Sequence, residues 1–557
     1  MRMQKALPIG NDQFRIVREK DYYYIDKTLL IKEFLELRDT ASLITRPRRF
    51  GKTLNMTMLR EFFDITRDSR EIFKGLAIMD TKYASLINTK PVIYFSFKDC
   101  SGKTQDELKV RLSKEILKEY QRYAVIFESG SQDKRDVYVR IFYNNLEKLI
   151  SCSMSFAELS AYVEELIRVV HDHYGAAPIL LIDEYDQPVL SSYENGYRKE
   201  LGDFFSSFYG SALKGNEYMD QALLTGIQRV AKESIFSKLN NISIYTVIDE
   251  CYSDKFGITK REAEKLLCDF GMELSAVVKE KYDGYRFGRY DIYNPWSLLC
   301  YIRKGRAENF WVNTSTNYLV KEAVKKADER FRREFDELIE KKTVRVGINL
   351  ETSFIELQDN YSLWGLLVNA GYVTVEDVED ESFMKVRIPN EEVCAEFRKI
   401  LAEQANISDM DLQGMFRCLL EKDMEGFLKI YRDIVISCTS YFDARENAYH
   451  MLFLGMCISV RGIYEVSSNL EQGHGRSDIT LKALEPGRPH IILEFKQGSD
   501  VETLKKSALK QILKKQYYSG LTGEVLCVGI AHDKKQCALT WESITVTGSG
   551  QAVRENI

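Results

Sequence analysis

Paired cysteines are missing from this chain. Its eleven cysteines are scattered singly, with no Cys-x-x-Cys and no Cys/His cluster at zinc spacing. That excludes a zinc ribbon or finger and a thioredoxin-type redox motif. Lone thiols suit a reducing compartment, so a cytoplasmic location is expected. Proline is scarce, nine in 557 residues, and no proline-rich linker marks a domain boundary. No apolar run approaches the ~20 residues of a membrane helix. The opening stretch MRMQKALPIGNDQF lacks the apolar centre of a signal peptide, so no membrane partner is expected. An excess of positive charge is missing too. The formal net charge is −5, so contact with nucleic acid would rest on local patches. Repeats and low-complexity tracts are not found.

What is present is a long chain of ordinary globular composition, too long for one common domain. In the first 255 residues, short apolar runs alternate with helical patterns. Strands are expected at Ser42–Thr45, Val92–Phe95, Ile179–Ile182, Ala222–Thr225 and Ile244–Val247, and a helix from Thr53 to about Phe63. Strands that alternate with helices imply an α/β fold, a parallel sheet with helices on both faces. From 256 to 405 the pattern reads mostly helical. There, a helix from Leu363 followed by strands at about Tyr372–Thr374 and Phe383–Ile388 has the order of a winged-helix unit. Residues 406–557 read as helices to about 465, then a hairpin of Ser477–Leu481 and Ile491–Lys496. A basic helix near 501–517 and a last strand at Val525–Ile530 follow, as in a small separate α/β domain.

The strand at Ser42 runs into Arg46-Pro47-Arg48-Arg49-Phe50-Gly51-Lys52-Thr53 and then a helix. Strand, loop, Gly-Lys-Thr and helix make a phosphate-binding loop of the Gly-x-x-x-x-Gly-Lys-Thr type, with Arg46 in place of the first glycine. Lys52 would reach the β- and γ-phosphates of ATP, and Thr53 would ligate Mg²⁺. The apolar strand Ile179–Ile182 ends in Asp183-Glu184. Asp183 would hold Mg²⁺ and Glu184 would polarise the attacking water. At the end of the next strand, Thr225 or Gln228 would sense the γ-phosphate. Arg229 would be an arginine finger within its own subunit or across a homo-oligomer; a plain surface turn is the alternative for each.

In the last third, Asp478 opens one strand of the hairpin and Glu494-Phe495-Lys496 lies on the other. Residues two apart face one side of a sheet, so Glu494 and Lys496 share a face. Two carboxylates and a lysine are what metal-assisted phosphodiester hydrolysis needs. Charges that end an otherwise apolar strand are costly unless paired or liganded. Glu446 and His450, one turn apart on a preceding helix, and Gln511 on the following helix would face the same point. Lys505, Lys506, Lys510, Lys514 and Lys515 would attract phosphates or form a solvated face.

Together with Leu7-Pro8-Ile9-Gly10, Tyr24-Ile25-Asp26-Lys27-Thr28, Ile182-Asp183-Glu184-Tyr185-Asp186 and Gly473-His474-Gly475-Arg476-Ser477-Asp478, these stretches carry a resemblance. The chain resembles bacterial proteins with an AAA-ATPase-like N-terminal domain and a C-terminal PD-(D/E)XK nuclease-superfamily domain. The resemblance implies ATP and Mg²⁺ as cofactors, with Lys52, Thr53, Asp183 and Glu184 at the nucleotide. It implies Asp478, Glu494 and Lys496 as the nuclease-type triad, with Glu446 and Gln511 as accessories. Arg46 to Phe50 look like the family's own form of the loop. The expected function is an ATPase coupled to a nuclease acting on nucleic acid, DNA before RNA. A role in defence or mobile elements follows by analogy alone. Two rivals stand beside it: an ATP-dependent switch whose last domain binds nucleic acid or a partner without cutting, and an ATPase that remodels a protein.

Overall fold

The computed structural model describes residues 5–128, 137–228, 241–311, 328–341, 343–350, 360–380, 382–404, 409–437, 449, 453, 456–460, 463–472, 475–533, 536–547 and 552–554. The chain forms two compact units, Met1–Glu392 and Val393–Ile557.

The first unit is built on strands β1 (Ala41–Thr45), β2 (Val92–Ser96), β3 (Ile179–Asp183), β4 (Ala222–Gly226) and β5 (Ile242–Tyr245), all parallel, in the order β2-β3-β4-β1-β5. All five residues of β1, β3 and β4 are buried, which explains their continuous apolar runs. Leu43, Phe95, Ile182 and Leu224 face a core shared with the helices Gln105–Glu128, Tyr162–Tyr174 and Arg198–Leu213. The opposite face is covered by helices that include Lys52–Phe63. The fifth strand lies two residues earlier than its apolar run suggests. Thr246 ends it, because its N–H and hydroxyl both donate to the Asp249 carboxylate at 2.6 and 2.8 Å, a local turn that competes with the ladder.

The stretch beyond 255, read as mostly helical, also contains a small antiparallel sheet: β6 (Ile258–Thr259), β7 (Tyr285–Phe287) and β8 (Tyr290–Tyr293). Its two-residue turn places Gly288 at φ +49° between aromatic strands, a hairpin signal that the helical reading overlooked. Further on, β9 (Thr343–Gly347) joins β10 (Thr374–Val378) and β11 (Phe383–Arg387) in the order β10-β11-β9. The helix before the two expected strands, Asn360–Ala370, is buried from Ser362 to Asn369. It is therefore the core of this subunit of structure and presents no free face to a DNA groove.

The second unit centres on a mixed sheet of β12 (Tyr464–Gln472), β13 (Gly475–Ala483), β14 (His490–Gln497), β15 (Gly523–Asp533), β16 (Gln536–Val546) and β17 (Ala552–Arg554), in that order. β12, β16 and β17 go beyond the sequence reading, which ended the sheet at Ile530. β14 and β15 are parallel and are joined by the helix Val501–Lys515, which packs on one face with Ile492, Val525 and Ile544. The other face packs Leu481, Leu493 and Phe495 against the helices Asp409–Leu420 and Met424–Ser437.

The helix Val501–Lys515 lies almost in contact with β15 at Gly529. A Cβ there would come 2.5 Å from the Lys505 carbonyl oxygen and 2.6 Å from the Leu509 nitrogen. Gly529→Ala should therefore destabilise the second unit by about 1–3 kcal/mol, the usual cost of overpacking. Urea unfolding of the full chain checks it; an unshifted midpoint would refute the close packing.

Candidate active sites

β1 ends at Thr45, and the helix Lys52–Phe63 begins seven residues later. Gly51 at φ +86° makes the entry turn, a conformation that glycine adopts without strain. Lys52 is buried, and its Nζ donates to the carbonyls of Arg46 and Pro47, each at 2.9 Å. Burial pushes its ammonium pKa down, while Glu184, Asp186 and Asp183 hold it up. The N–H groups of Gly51, Lys52 and Thr53 find no acceptor among the described residues, as is usual for a helix start that meets an anion.

Across the loop stands Asp183, fully buried at the end of β3. Its Oδ2 accepts from the Thr53 hydroxyl at 2.7 Å and its Oδ1 from the Thr225 hydroxyl at 2.6 Å. Burial raises its pKa, against those two hydrogen bonds and Lys52. Glu184 follows at φ +53°. A non-glycine residue held there stores roughly 1–3 kcal/mol of strain, which is characteristic of working sites. Its carboxylate makes no hydrogen bond or ion pair among the described residues, and burial raises its pKa.

Two further residues escaped the sequence reading, although both directly follow Glu184. The Asp186 Oδ2 accepts from the N–H groups of Ile227 and Gln228 at 2.9 and 3.0 Å, and the Tyr185 hydroxyl donates to the Gln228 carbonyl at 2.6 Å. They hold the turn that follows Thr225. Gln228 is fixed through its backbone, its side-chain Nε2 is buried without a partner among the described residues, and Arg229 lies outside the described residues.

Arg46 turns its side chain away from the phosphate loop. Its guanidinium is buried, donates to the carbonyls of Thr45 and Tyr245 at 2.8 and 3.1 Å, and lies over the rings of Phe256 and Phe287 at 5.5 and 5.2 Å. Burial pulls its pKa down to about 10. The side chain braces β1 against β5, and only its carbonyl faces Lys52. Phe50 is buried between Tyr285 and Phe287, ring centres 4.9 and 5.1 Å away. Pro47 abuts Gly371, where a Cβ would come within 2.9 Å of it. Arg48 is half-buried, and Arg49, exposed, lies over Trp296 at 4.4 Å.

In the second unit the β13–β14 ladder stops at Ile479–Leu493. Just past it, the Asp478 Oδ2 accepts from the Phe495 N–H at 2.7 Å, so a side chain takes the place of a missing backbone partner. Glu494 and Lys496 share the face of β14 that looks toward the helix Val501–Lys515. The Lys496 Nζ lies 3.1 Å from the Glu494 Oε1, which also accepts from Gln511 Nε2. Gln511 Nε2 is in turn 3.1 Å from the Tyr517 hydroxyl. The Glu494 Oε2 is buried without a partner among the described residues. Burial, then Asp478, push the Glu494 pKa up to about 7, with Lys496 opposing. Four of the five expected residues converge here; Glu446, like His450, lies outside the described residues. Among the described residues no three His, Cys, Asp or Glu side chains cluster, so a cation would rest on Asp478 and Glu494.

Residues 8–236 match the family model of predicted AAA-ATPases, and residues 444–542 that of the PD-(D/E)XK nuclease superfamily. The chain joins an AAA-ATPase-like domain to a PD-(D/E)XK domain. It is 27% identical over 498 residues to an uncharacterised protein in the vnfD 5′ region of Azotobacter chroococcum mcd 1, covering 86% of this chain and 87% of that one. The AAA-ATPase-like match contains the loop, Asp183, Glu184 and Thr225. The PD-(D/E)XK match contains Asp478, Glu494, Lys496 and Gln511. No helix of the described residues is long and apolar enough to cross a membrane.

The raised Glu494 pKa makes stability depend on pH. An unfolded glutamate titrates near 4.3, so between about pH 4.5 and 7 the folded form keeps a proton that the unfolded form has lost. Stability without metal therefore falls as pH rises through that window, by up to about 3 kcal/mol. Melts in chelator from pH 5 to 8 should show the fall in wild type and a smaller one in Glu494→Gln. Parallel curves would refute the shift.

Proposed function

We propose that the first unit binds and hydrolyses ATP with Mg²⁺, and that the second is a metal-dependent nuclease domain acting on nucleic acid, DNA before RNA. The observation that carries the first half is the Thr53 hydroxyl 2.7 Å from the buried Asp183 carboxylate, beside Lys52. Two hard oxygen donors at a helix start suit Mg²⁺, which would neutralise phosphate charge there. Lys52 would exchange the carbonyls of Arg46 and Pro47 for the β- and γ-phosphates. Thr225 keeps Asp183 oriented. Glu184, with a strained backbone and a carboxylate that makes no hydrogen bond among the described residues, would orient the attacking water.

The second half rests on the Glu494 oxygen that, among the described residues, is buried without a partner beside Asp478. Two carboxylates and a spare oxygen in a buried place fit a hard divalent cation, which would supply Lewis-acid stabilisation of the phosphate. Gln511 fixes the other Glu494 oxygen. Lys496 opposes the upward shift of the Glu494 pKa and would contribute positive charge at the scissile phosphate. A nuclease under ATP control suits action on invading or mobile DNA, a step that rests on analogy of layout.

Lys52→Ala should abolish ATP binding in calorimetry. Glu184→Gln should retain binding and lower kcat by about 10²–10⁴-fold, the usual contribution of a positioned general base. Unchanged binding in the first variant would sink the nucleotide site.

Cleavage is tested on single- and double-stranded DNA and RNA with Mg²⁺ or Mn²⁺, with and without ATP. Glu494→Ala and Lys496→Ala should each lose cleavage and keep the ATPase rate. Wild-type protein that binds these substrates and cuts none would replace the nuclease reading with that of a binding domain.

A further inference from the structure

A phosphate-binding loop must turn its N–H groups toward the anion, so its carbonyls point outward and need donors of their own. In this loop most of those donors can be named. The carbonyls of Arg46 and Pro47 accept from Lys52, and that of Gly51 from Asn55 N–H within the helix. The Phe50 carbonyl accepts from Gly257 N–H at 2.9 Å. The Arg48 carbonyl accepts from the indole Nε1 of Trp311 at 3.2 Å. The Lys52 bonds are the ones that must break when phosphate arrives. Those from Gly257 and Trp311 need not.

Trp311 lies 263 residues beyond Arg48 and is itself held in place. It is 2% exposed, and its ring meets Tyr372 edge-on at 5.6 Å. Its backbone N–H donates to the Glu392 Oε1 at 2.9 Å, which also accepts from Phe310 N–H. The other Glu392 oxygen accepts from the Ser297 hydroxyl at 2.8 Å. Glu392, 1% exposed, accepts from three donors, two of them the successive N–H groups of Phe310 and Trp311. A buried carboxylate is retained at such a place when its hydrogen bonds fix a geometry.

We propose that Trp311, held by Glu392, is a positioning residue of the ATP site: its indole N–H keeps the Arg48 carbonyl turned out of the phosphate loop, a task the loop cannot do alone with arginine in place of its first glycine. The proposal rests on the ATPase reading. The same loop shape serves bound ATP and the reacting state, so losing this support weakens binding uniformly and raises KM while sparing kcat.

Trp311→Phe removes the indole N–H and keeps an aromatic ring beside Tyr372, though a smaller one that leaves part of the buried indole space unfilled. The expected result is a KM and Kd for ATP·Mg raised about three- to ten-fold, the cost of one hydrogen bond. kcat should stay within about two-fold, while the melt falls modestly because the smaller ring fills less of the buried space. Glu392→Ala should raise KM at least as much. Glu392→Gln, which keeps an oxygen acceptor, should restore most of the wild-type value. If Trp311→Phe binds ATP like wild type, or loses kcat together with thermal stability, the inference is overturned. Should Glu392→Ala fail to fold, Trp311→Phe decides alone. Wild-type protein that does not bind ATP at all would instead overturn the ATPase reading, a different outcome in the same calorimeter.

Discussion

Asp183 is fully buried, and a buried carboxylate must find donors or give up its charge. It finds two hydroxyls, one from the helix after β1 and one from the end of β4. That single requirement ties together the ends of three strands. The order β3-β4-β1 makes it possible, because Ile182 pairs with Leu224 and Ile44 with Thr225, so the three chains end level with one another. Ligands of open α/β sheets bind outside such carboxyl ends. Asp186 is a second buried acid, solved differently: two backbone N–H groups satisfy it and fix the next turn. Lys52, Asp183 and Asp186 thus sit in one buried place, each with partners, while Glu184 has a strained backbone and a carboxylate without a hydrogen bond among the described residues.

The second unit treats its buried acid in the opposite way. Glu494 has one oxygen held by Lys496 and Gln511 and one with no partner among the described residues. The uncompensated burial is what lifts its pKa to about 7. The gap in the β13–β14 ladder is the structural cause. Where backbone pairing stops, Asp478 steps in as a hydrogen-bond acceptor, and the two carboxylates approach each other. Mutual repulsion of this kind is relieved by a proton or by a cation. A folded domain that keeps both acids here instead of a neutral pair gains no stability from them, so the arrangement makes chemical sense as a place for a cation.

Much of this was legible in the sequence because it is local. Continuous apolar runs gave β1 to β4, since strands covered on both faces need no alternation. Gly51-Lys52-Thr53 after such a run, and Asp183-Glu184 at the end of another, carry their own context. The pairing of Glu494 with Lys496 followed from the two-residue period of a strand. What escaped was long-range or masked by mixed patterning. β7 and β8 are three and four residues long and aromatic, too short to outweigh the helical segments around them. β16 alternates only partly, with Thr540, Trp541 and Glu542 half-buried, and its strand character comes from pairing with β15. The place of the Arg46 side chain was not legible, because a motif position says where a residue stands and not where its side chain goes. Phe256 and Phe287, which receive its guanidinium, lie more than two hundred residues away.

That last point bears on what the ATPase unit is. The matched AAA-ATPase-like segment ends at residue 236, yet the groups that shape the phosphate loop come later: Gly257 on the Phe50 carbonyl, Tyr285 and Phe287 around the Phe50 ring, Trp311 on the Arg48 carbonyl, and Gly371 against Pro47. A glycine at the head of such a loop lets the backbone turn without help. With arginine there, the turn is stabilised by packing and by donors supplied from outside the loop. The compact unit accordingly runs to Glu392, the residue whose carboxylate holds Trp311. Glu392 is also the second residue of the helix Glu391–Gln404, along which the chain leaves this unit for the next. The last side chain of the AAA-ATPase-like unit to support this loop is therefore also one of the first in the segment that leads to the PD-(D/E)XK domain.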